Sequence, residues 1–509
     1  MVCDGFKSPT WLDTHPEGMP NLKKGTLFTA AIHIFCGIIG AGVLALPRSP
    51  GWLGWVAGPT LIFVFYLIAL LSSWLLDDCY QVEGVENGRY HDIVKHIMGI
   101  KSAYGVSVFQ TLNIVLIDIA YAITASEAMG TLANTACGWQ GIESADCFNT
   151  SWALTVIFGA VQVVSSLVPN LESAWWVSAI GTLTSIFYAS VALVLGMIHA
   201  SNGLGTIGGI PSNPVNKAFE ILNALGAIGF AYSFSSILVE IQDTLAQPPK
   251  AAKTMGKATT FAVTASFAFY FLVAIGGYSS LGNDVPSYIL GGLEGPDWVI
   301  FVANFCVLLH MWSAYQIYAQ PMFDTLESHI KAFKLRQARA KGDAELPAKV
   351  ERLQRLSMAA RQGPAAGAKA ASASPPTCPP PAPPAANPLR RLSRVSAMAG
   401  EKLQRLSQRG HRLITRGIYV VLTTLIAAIM PFFGAMAGLV GALAFFPLTV
   451  FFPFRCWRTV YMPSGWFNTM LYVIEFGMAL VCIAATIASF RNIIVSWSTF
   501  KIFQGAGTL

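Results

Sequence analysis

The feature that most constrains this chain is a series of long apolar runs that carry at most one charged residue each. An apolar run of about 20 residues spans a bilayer as an α-helix, because a helix pairs its backbone groups within itself. Only 12 % of the residues are charged, against about 25 % in soluble domains. The sequence therefore predicts an all-α integral membrane protein. Such runs cover residues 58–76, 152–169, 174–198, 261–281, 417–454 and 466–490.

Hydropathy along the whole chain predicts about eleven transmembrane helices. Between the ninth and the tenth, Pro431 and the glycines from Gly434 to Gly441 interrupt one long apolar stretch, and we expect a helix break there. The N-terminal segment contains prolines and no apolar core, so no cleavable signal peptide is expected. The predicted spans are 26–47, 54–76, 102–129, 152–169, 174–199, 217–241, 258–281, 298–320, 415–434, 437–453 and 466–490.

The distribution of Lys and Arg predicts a cytoplasmic N-terminus. This orientation places most of the 33 basic residues inside and leaves Arg48, Lys217, Arg491 and Lys501 outside. The net charge of +7 then belongs mainly to cytoplasmic segments and requires no nucleic-acid partner. We expect a multi-pass protein of the plasma membrane.

One insertion interrupts the hydrophobic pattern, at residues 331–413. Its centre, 375–388, is rich in Pro and Ala and cannot form a packed core. Ser357, Ser393 and Ser407 each follow an Arg by two residues. Two interpretations stay open. The loop is either regulatory, phosphorylated by a basophilic kinase at these serines and bound to anionic lipids of the inner leaflet, or a solvated basic linker.

The loop between the third and fourth spans is predicted to face outside and carries two candidate modifications. Cys137 and Cys147 flank it and are candidates for a disulfide, which is stable in an oxidising compartment. Asn149 begins an Asn-Thr-Ser sequence and is a candidate glycosylation site.

Glycines cluster within two of the predicted helices. Span one contains Gly37, Gly40 and Gly42, and span six contains Gly226 and Gly229. Glycine weakens a helix, and at membrane depth free backbone groups are tolerated where they line a cavity. Two such helices five spans apart are typical of transporters built from inverted repeats. The alternative is close helix packing through small residues.

The residues in these segments resemble the amino acid/auxin permease family, in particular its plant-type amino acid permease branch within the APC superfamily. The resemblance covers nearly the whole chain except the N-terminal tail and the 331–413 loop. It is carried by the passages 25–44, 121–126, 230–234, 243–249, 253–257, 310–321, 419–433 and 446–453.

The resemblance implies a LeuT-like core of two five-helix inverted repeats, with helices 1 and 6 broken, plus one extra C-terminal helix. It also implies import of amino acids by proton symport with alternating access, with H⁺ as the coupling ion and no other cofactor or metal. The expected segments are a cytoplasmic tail at 1–25, repeats at 26–199 and 217–453 with the 331–413 loop in the second, an eleventh helix at 466–490 and a tail at 491–509.

The same resemblance assigns a substrate site to the two broken helices and the third span. Further candidates are Ser185 and Tyr188 on span five, and His310 and Gln316 on span eight. The substrate-binding residues implied are Ile39, Gly40, Ala41 and Gly42 on span one, Phe230, Ala231, Tyr232 and Ser233 on span six, and Asn113, Tyr121 and Thr124 on span three.

Ionisable groups at membrane depth are costly and mark candidate functional sites. Asp118, within span three, is a departure from the family pattern. It binds the charged group of a cationic substrate, carries the coupling proton, or pairs with another helix as a structural contact. His33 on span one is a second candidate for proton coupling, since histidine titrates near neutral pH. A hydrogen-bonded core histidine is the alternative.

Four charged residues near the ends of spans are candidates for gating. Arg48 and Glu127 lie at the outer ends of spans one and three, where a rim cation and a solvated acid are the alternative readings. Glu240 and Asp243 lie at the inner end of span six and are expected to pair with nearby lysines, or else to be solvated.

Other functional classes are poorly supported. The chain lacks the His-Glu-x-x-His and Gly-x-Ser-x-Gly motifs of intramembrane hydrolases, so we expect no enzyme. A nutrient sensor built on a transporter fold has the same sequence features as a carrier, and only a flux assay separates the two. Within the carriers, auxin or another weak acid is the alternative substrate.

Overall fold

The structure of the protein is a computed structural model that describes residues 25–143, 146–166, 175–203, 205–340 and 414–499. It is built from α-helices and one small hairpin of strands in these ranges. Ser357, Ser393 and Ser407 lie outside the described residues, as does most of the 331–413 loop. The helix that contains the predicted eighth span, 298–320, continues to Ala340, into the first residues of the predicted 331–413 loop.

The helices follow one another with short connections. A π-helical segment, Phe445–Phe451, links two helices of the tenth predicted span, and short 3₁₀ segments lie at His199–Asn202, Gly282–Asp284 and Ile289–Gly291. The helices are α1 (Leu27–Ile38), α2 (Ala41–Ala45), α3 (Arg48–Asp78), α4 (Tyr90–Met98), α5 (Ile100–Trp139), α6 (Ser151–Ser166), α7 (Trp175–Ile198), α8 (Pro214–Ala231), α9 (Ser235–Asp243), α10 (Ala251–Leu281), α11 (Asp297–Ala340), α12 (Ile414–Ile429), α13 (Phe433–Ala444), α14 (Phe452–Tyr461) and α15 (Trp466–Thr499).

The predicted all-α membrane fold with two broken helices is confirmed. Eight helical segments in the described ranges are long and apolar enough to cross a bilayer, and three shorter apolar helices, α1, α6 and α12, accompany them. α12 ends at Ile429 and α13 begins at Phe433, so the apolar stretch around Pro431 is divided as its sequence predicts. The number of spans that cross the membrane stays a prediction.

Large apolar side chains cover the outer faces of the long helices. Leu183 is 70 % exposed, Phe261 67 % and Phe476 68 %. Exposure of so much apolar surface to water is unfavourable, whereas contact with lipid tails is not. The exposed faces are therefore those expected of a protein surrounded by a bilayer.

Glycines do not mark both helix breaks. α8 continues without interruption through Gly226 and Gly229 and ends only at Ala231. A Cβ at Gly226 would lie 2.2 Å from the carbonyl oxygen of Gly438 on α13, and a Cβ at Gly441 would lie 1.9 Å from that of Gly226. In span six these glycines therefore allow two helices to pack backbone against backbone.

The hairpin is a feature that hydropathy does not predict. β1 (Gln81–Val82) and β2 (Val85–Glu86) pair in antiparallel fashion after α3. The two turn residues, Glu83 and Gly84, both have positive φ, 52° and 82°. Two positive φ values are the requirement of the tight turns that join short hairpins.

The chain divides into two compact units. The first comprises Met1–Gln162, Asn170–Tyr318 and Thr423–Leu509 and contains both helix breaks. The second comprises Val163–Pro169 and Ala319–Leu422. Within the second unit, Arg416 forms an ion pair with Glu327 at 3.2 Å and lies over the ring of Phe323.

Candidate functional site

The first and sixth spans are each interrupted by a short non-helical segment. α1 ends at Ile38, and Ile39 and Gly40 leave the helix before α2 begins. α8 ends at Ala231, and residues 232–234 separate it from α9. The last carbonyls before each break and the first N–H groups after it therefore lack helical partners. Such breaks supply hydrogen-bonding groups at a depth where most side chains are apolar.

One side chain joins the two breaks. The hydroxyl of Tyr270 on α10 donates to the carbonyl oxygen of Ile38 at 2.5 Å and to that of Ala231 at 3.1 Å. Tyr270 is fully buried, and its ring meets the ring of Tyr232 edge-on. Because one O–H serves carbonyls from both spans, it couples the position of one break to that of the other.

The two glycines of the first break have different surroundings. A Cβ at Gly42 would lie 2.8 Å from Ala231 Cα, so the absence of a side chain allows α2 to approach the end of α8. A Cβ at Gly40 would lie 3.6 Å from both Tyr121 Oη and His310 Nε2, an ordinary contact distance. Gly40 therefore borders a space that two polar side chains reach from the third and eighth spans.

His310 presents an acceptor toward Gly40. Its Nδ1 lies 2.8 Å from the carbonyl oxygen of Gly181 on α7. Since a carbonyl only accepts, Nδ1 carries the proton, and Nε2 of the neutral ring is an acceptor. The ring of Tyr188 meets His310 edge-on, and the buried Tyr188 hydroxyl has no hydrogen-bond partner in the described part of the chain. A ligand beside Gly40 would meet His310 Nε2.

α5 carries the intramembrane acid of this region. Asp118 is fully buried and lies one helical turn before Tyr121. It interacts electrostatically with the phenol groups of Tyr121, Tyr315 and Tyr318. The rings of Tyr121 and Tyr318 also meet edge-on, 5.7 Å between centroids. Asp118 is therefore a member of a buried polar cluster that borders the first break.

The remaining residues of the predicted site differ in whether their polar atoms are already hydrogen-bonded within the protein. Asn113 is buried, and among the described residues neither atom of its amide has a hydrogen-bond partner. The hydroxyl of Thr124 donates to Ala120 in its own helix, and that of Ser233 donates to Gly229. Asn113 is thus the side chain of these three whose polar atoms are left for a ligand.

A cavity of about 500 Å³ opens at the helix ends that are predicted to face outside. Ala45 and Ala227 line it, and each lies five residues, between one and two helical turns, from the break in its own span. Arg48, Glu127 and Glu220 are its charged lining residues. Two of the predicted gating residues, Arg48 and Glu127, therefore share one cavity.

The ends of the same spans that are predicted to face inside are hydrogen-bonded to each other. The N–H of Gly25 donates to the carbonyl of Thr244, and the N–H of Ala246 donates to that of Gly25, both at 2.9 Å. The hydroxyl of Tyr80 donates to Asp243 at 2.8 Å. The first and sixth spans are thus joined at this end, whereas the end that is predicted to face outside holds an open cavity.

The structure does not bring every candidate to these places. His33 lies on an exposed face of α1, and Glu240 is exposed on α9. Cys137 and Cys147 are joined by a disulfide. Asn149 is only 5 % exposed, and its Nδ2 donates to Asn134 Oδ1 at 2.9 Å. A glycan on that nitrogen would therefore require this hydrogen bond to open.

Sequence reasoning missed Tyr270, Trp52, Glu220 and Asn492. Tyr270 reads as an ordinary aromatic residue inside an apolar run, and its role depends on carbonyls far away in the chain. Glu220 lies in the first turns of α8 close to Lys217, which gives the appearance of a solvated helix end. For Tyr270 and Glu220, a polar group flanked by apolar residues was the one available signal, and it does not tell which carbonyl or cavity the residue reaches.

Comparison with known proteins identifies the family. The family model described as "Transmembrane amino acid transporter protein" matches residues 23–494. Amino acid permease 4 of Arabidopsis thaliana is 31 % identical over 95 % of this chain and 96 % of its own length. Amino acid permease 3 of the same plant is 32 % identical over 95 % and 94 %. These relatives are permeases and not enzymes, in agreement with the sequence motifs.

One solved structure covers a similar length. It is described as the substrate-bound outward-open state of a Na⁺-coupled sialic acid symporter, and it aligns with a TM-score of 0.41 and 9 % identity over 94 % of this chain and 91 % of that chain. A likeness this low has no bearing on the coupling ion or the site. The family match and the permease relatives, which span nearly the whole length, establish that this multi-pass membrane protein belongs to the transmembrane amino acid transporter family.

Proposed function

We propose that this protein imports amino acids across the plasma membrane by proton symport with alternating access, with its N-terminus in the cytoplasm. The observation that supports this most directly is the pair of broken helices joined by the Tyr270 hydroxyl. The permease relatives support an amino acid as the substrate.

The substrate in this proposal binds beside the first break. A zwitterion needs donors for its carboxylate and acceptors for its ammonium group, and broken helices offer both kinds of backbone group. Gly40 borders a space that His310 Nε2 and Tyr121 Oη also reach. The small side chains of Ala41 and Ala231 flank the breaks and leave room for a ligand.

Asp118 carries the coupling proton in this proposal. A fully buried carboxylate among phenol groups pays a large desolvation cost when it is charged, so binding of a proton and of a substrate nearby are energetically linked. His33 fits the role less well because its side chain is exposed on the outer face of α1.

Alternating access is supported by the difference between the two ends of the protein. The outer ends of the spans border a cavity of about 500 Å³. The inner ends are joined through Gly25, Thr244 and Ala246 and through the Tyr80 to Asp243 hydrogen bond. This arrangement corresponds to a carrier that is open to the outside and closed to the cytoplasm.

Uptake of a panel of radiolabelled amino acids tests the proposal, in cells that lack their own permeases, at about pH 5 and about pH 8. We expect uptake that rises at acid pH, collapses with a protonophore and does not depend on sodium. No flux from protein at the cell surface would refute amino acid transport, and sodium-dependent flux would refute proton coupling.

An Asp118→Asn variant tests the proton assignment. We expect it to abolish concentrative uptake of every substrate and to leave pH-insensitive exchange across the membrane. Glu294→Gln, a change of an exposed acid outside the polar cluster, is the matched control and should leave uptake unchanged. Loss of lysine and arginine uptake alone would assign Asp118 to substrate charge instead.

A further inference from the structure

We propose that the outer cavity is a second amino-acid-binding site, in which a zwitterion sets its carboxylate against Arg48 and its ammonium group against Glu127. The inference deepens the proposed transport function and rests on it, because the ligand is the transported substrate on its way to the helix breaks.

The cavity has the size and the charges that such a ligand requires. Its volume of about 500 Å³ lies within the range of small-molecule sites, about 300–1,000 Å³. Its lining combines one guanidinium group, from Arg48, with the carboxylates of Glu127 and Glu220. A zwitterion presents a carboxylate to the arginine and an ammonium group to a carboxylate at the same time.

Arg48 is held in a fixed position, and most of its guanidinium N–H groups remain available to a ligand. Its Nη1 donates to the carbonyl oxygen of Val285 at 2.7 Å, and its guanidinium lies 5.6 Å from the centre of the Trp52 ring. A guanidinium has five N–H donors, so one backbone contact leaves most of them for a carboxylate. A pre-positioned arginine of this kind loses little side-chain entropy when it binds an anion.

Two further donors among the lining residues lack acceptors. Trp52 Nε1 and Asn492 Nδ2 are buried and have no hydrogen-bond partner in the described part of the chain. A buried donor without an acceptor costs about 1–3 kcal/mol. A carboxylate that enters near Arg48 supplies acceptors to this region of the protein.

Glu127 is the acid left for the ammonium group. Glu220 already interacts electrostatically with Arg48 and Arg491. No hydrogen bond or ion pair to the Glu127 carboxylate occurs within the described ranges. Burial, and then the negative charge of Glu127, raise the pKa of the Tyr288 hydroxyl, so this neighbour stays protonated and brings no charge of its own.

The position of the cavity gives the second site a role. Ala45 and Ala227 form part of its lining, and each is between one and two helical turns from the break in its span. A ligand released from Arg48 and Glu127 would therefore move inward by between one and two turns of helix to reach Gly40. Capture at the outer site raises the local concentration of substrate at the breaks.

Equilibrium binding to the purified full-length protein in lipid nanodiscs tests the inference. The probe is the tritiated amino acid that is taken up fastest in the panel above. We expect two molecules bound per protein in the wild type, with the second lost, or weakened by about tenfold or more, in Arg48→Gln and in Glu127→Gln. Glu294→Gln and Lys217→Gln change charges outside the cavity and should keep both sites.

The isosteric Glu127→Gln variant keeps the test valid if Arg48→Gln fails to fold, since the Glu127 carboxylate has no described partner to lose. One molecule bound in the wild type and unchanged affinity in Glu127→Gln would overturn the second site and leave the transport proposal standing. Absence of any binding or uptake of amino acids would instead overturn the transport proposal itself.

Discussion

Gly42 and Ala231 pack against each other without an intervening side chain, so that a Cβ at Gly42 would lie 2.8 Å from the Cα and 3.1 Å from the Cβ of Ala231. This contact brings the second half of span one against the residue where span six breaks. The carbonyl of the same Ala231 accepts the hydroxyl of Tyr270. The two breaks are thus joined by packing on one side and by a hydrogen bond on the other.

The two glycines of the first break should respond differently to alanine. Gly42→Ala forces the backbones of α2 and α8 apart, and overpacking of this kind costs about 1–3 kcal/mol. We expect lower surface abundance and little uptake of any substrate. Gly40→Ala fits at ordinary contact distance, so it should reach the surface normally, retain uptake of small amino acids and lose uptake of large ones. Equal behaviour of the two variants would contradict this assignment.

Tyr270→Phe should impair transport more than it impairs folding and insertion of the protein into the membrane. The change keeps the ring but leaves the carbonyls of Ile38 and Ala231 without their donor, at a cost of about 1–3 kcal/mol. We expect the maximal rate of uptake, corrected for surface abundance, to fall by about tenfold. Tyr104→Phe, at an exposed position, is the control and should transport normally.

Tyr80→Phe should loosen the closure at the predicted inner end. It removes the donor to Asp243 Oδ1, and the adjacent Cys79 then reports on the opening. Cys79 is fully buried, and its burial raises the pKa of the thiol, so the closed form is protected from alkylation. We expect faster labelling of Cys79 from the cytoplasmic side, measured by mass spectrometry. An unchanged rate would show that this hydrogen bond does not hold the closure.

The Cys137 to Cys147 disulfide should stabilise the loop between α5 and α6 without taking part in transport. It closes a loop with a sequence separation of 10 residues, and a loop of that length is expected to contribute about 3 kcal/mol. The double variant Cys137→Ser with Cys147→Ser should unfold at a lower temperature while its substrate affinity is unchanged. The single variants should match the double variant, and a single variant that retains wild-type stability would contradict the pairing.

The sequence predicts the broken helices but only part of their cause. The cluster of Gly37, Gly40 and Gly42 places the first break correctly, because the chain leaves the helix at Ile39 and Gly40. In span six, Gly226 and Gly229 remain helical, and the break follows at residues 232–234, which contain no glycine. Local helix weakness is readable from a sequence, whereas the choice between a break and a close helix contact depends on what lies opposite.

The candidate site shows the same limit. Asp118 is recognisable from sequence because a carboxylate within an apolar run is rare, and the structure places it in a buried cluster. Its neighbours Tyr315 and Tyr318 come from a helix some two hundred residues later, and nothing in their local sequence points to α5. Arg48 and Glu127 are likewise visible as charges, but the cavity they share is not.

The contact of Gly226 with Gly438 and Gly441 limits how this protein can move. A side chain does not fit at these positions, so a shift of α8 along α13 that replaced a glycine by a neighbouring residue would bring its Cβ into collision with backbone. We therefore expect α8 and the start of α13 to move together as one rigid unit. Closure of the cavity beside Arg48 would then come from movement of the helices that face α8 and α13. The hinge for this movement would be residues 232–234, the non-helical segment between α8 and α9.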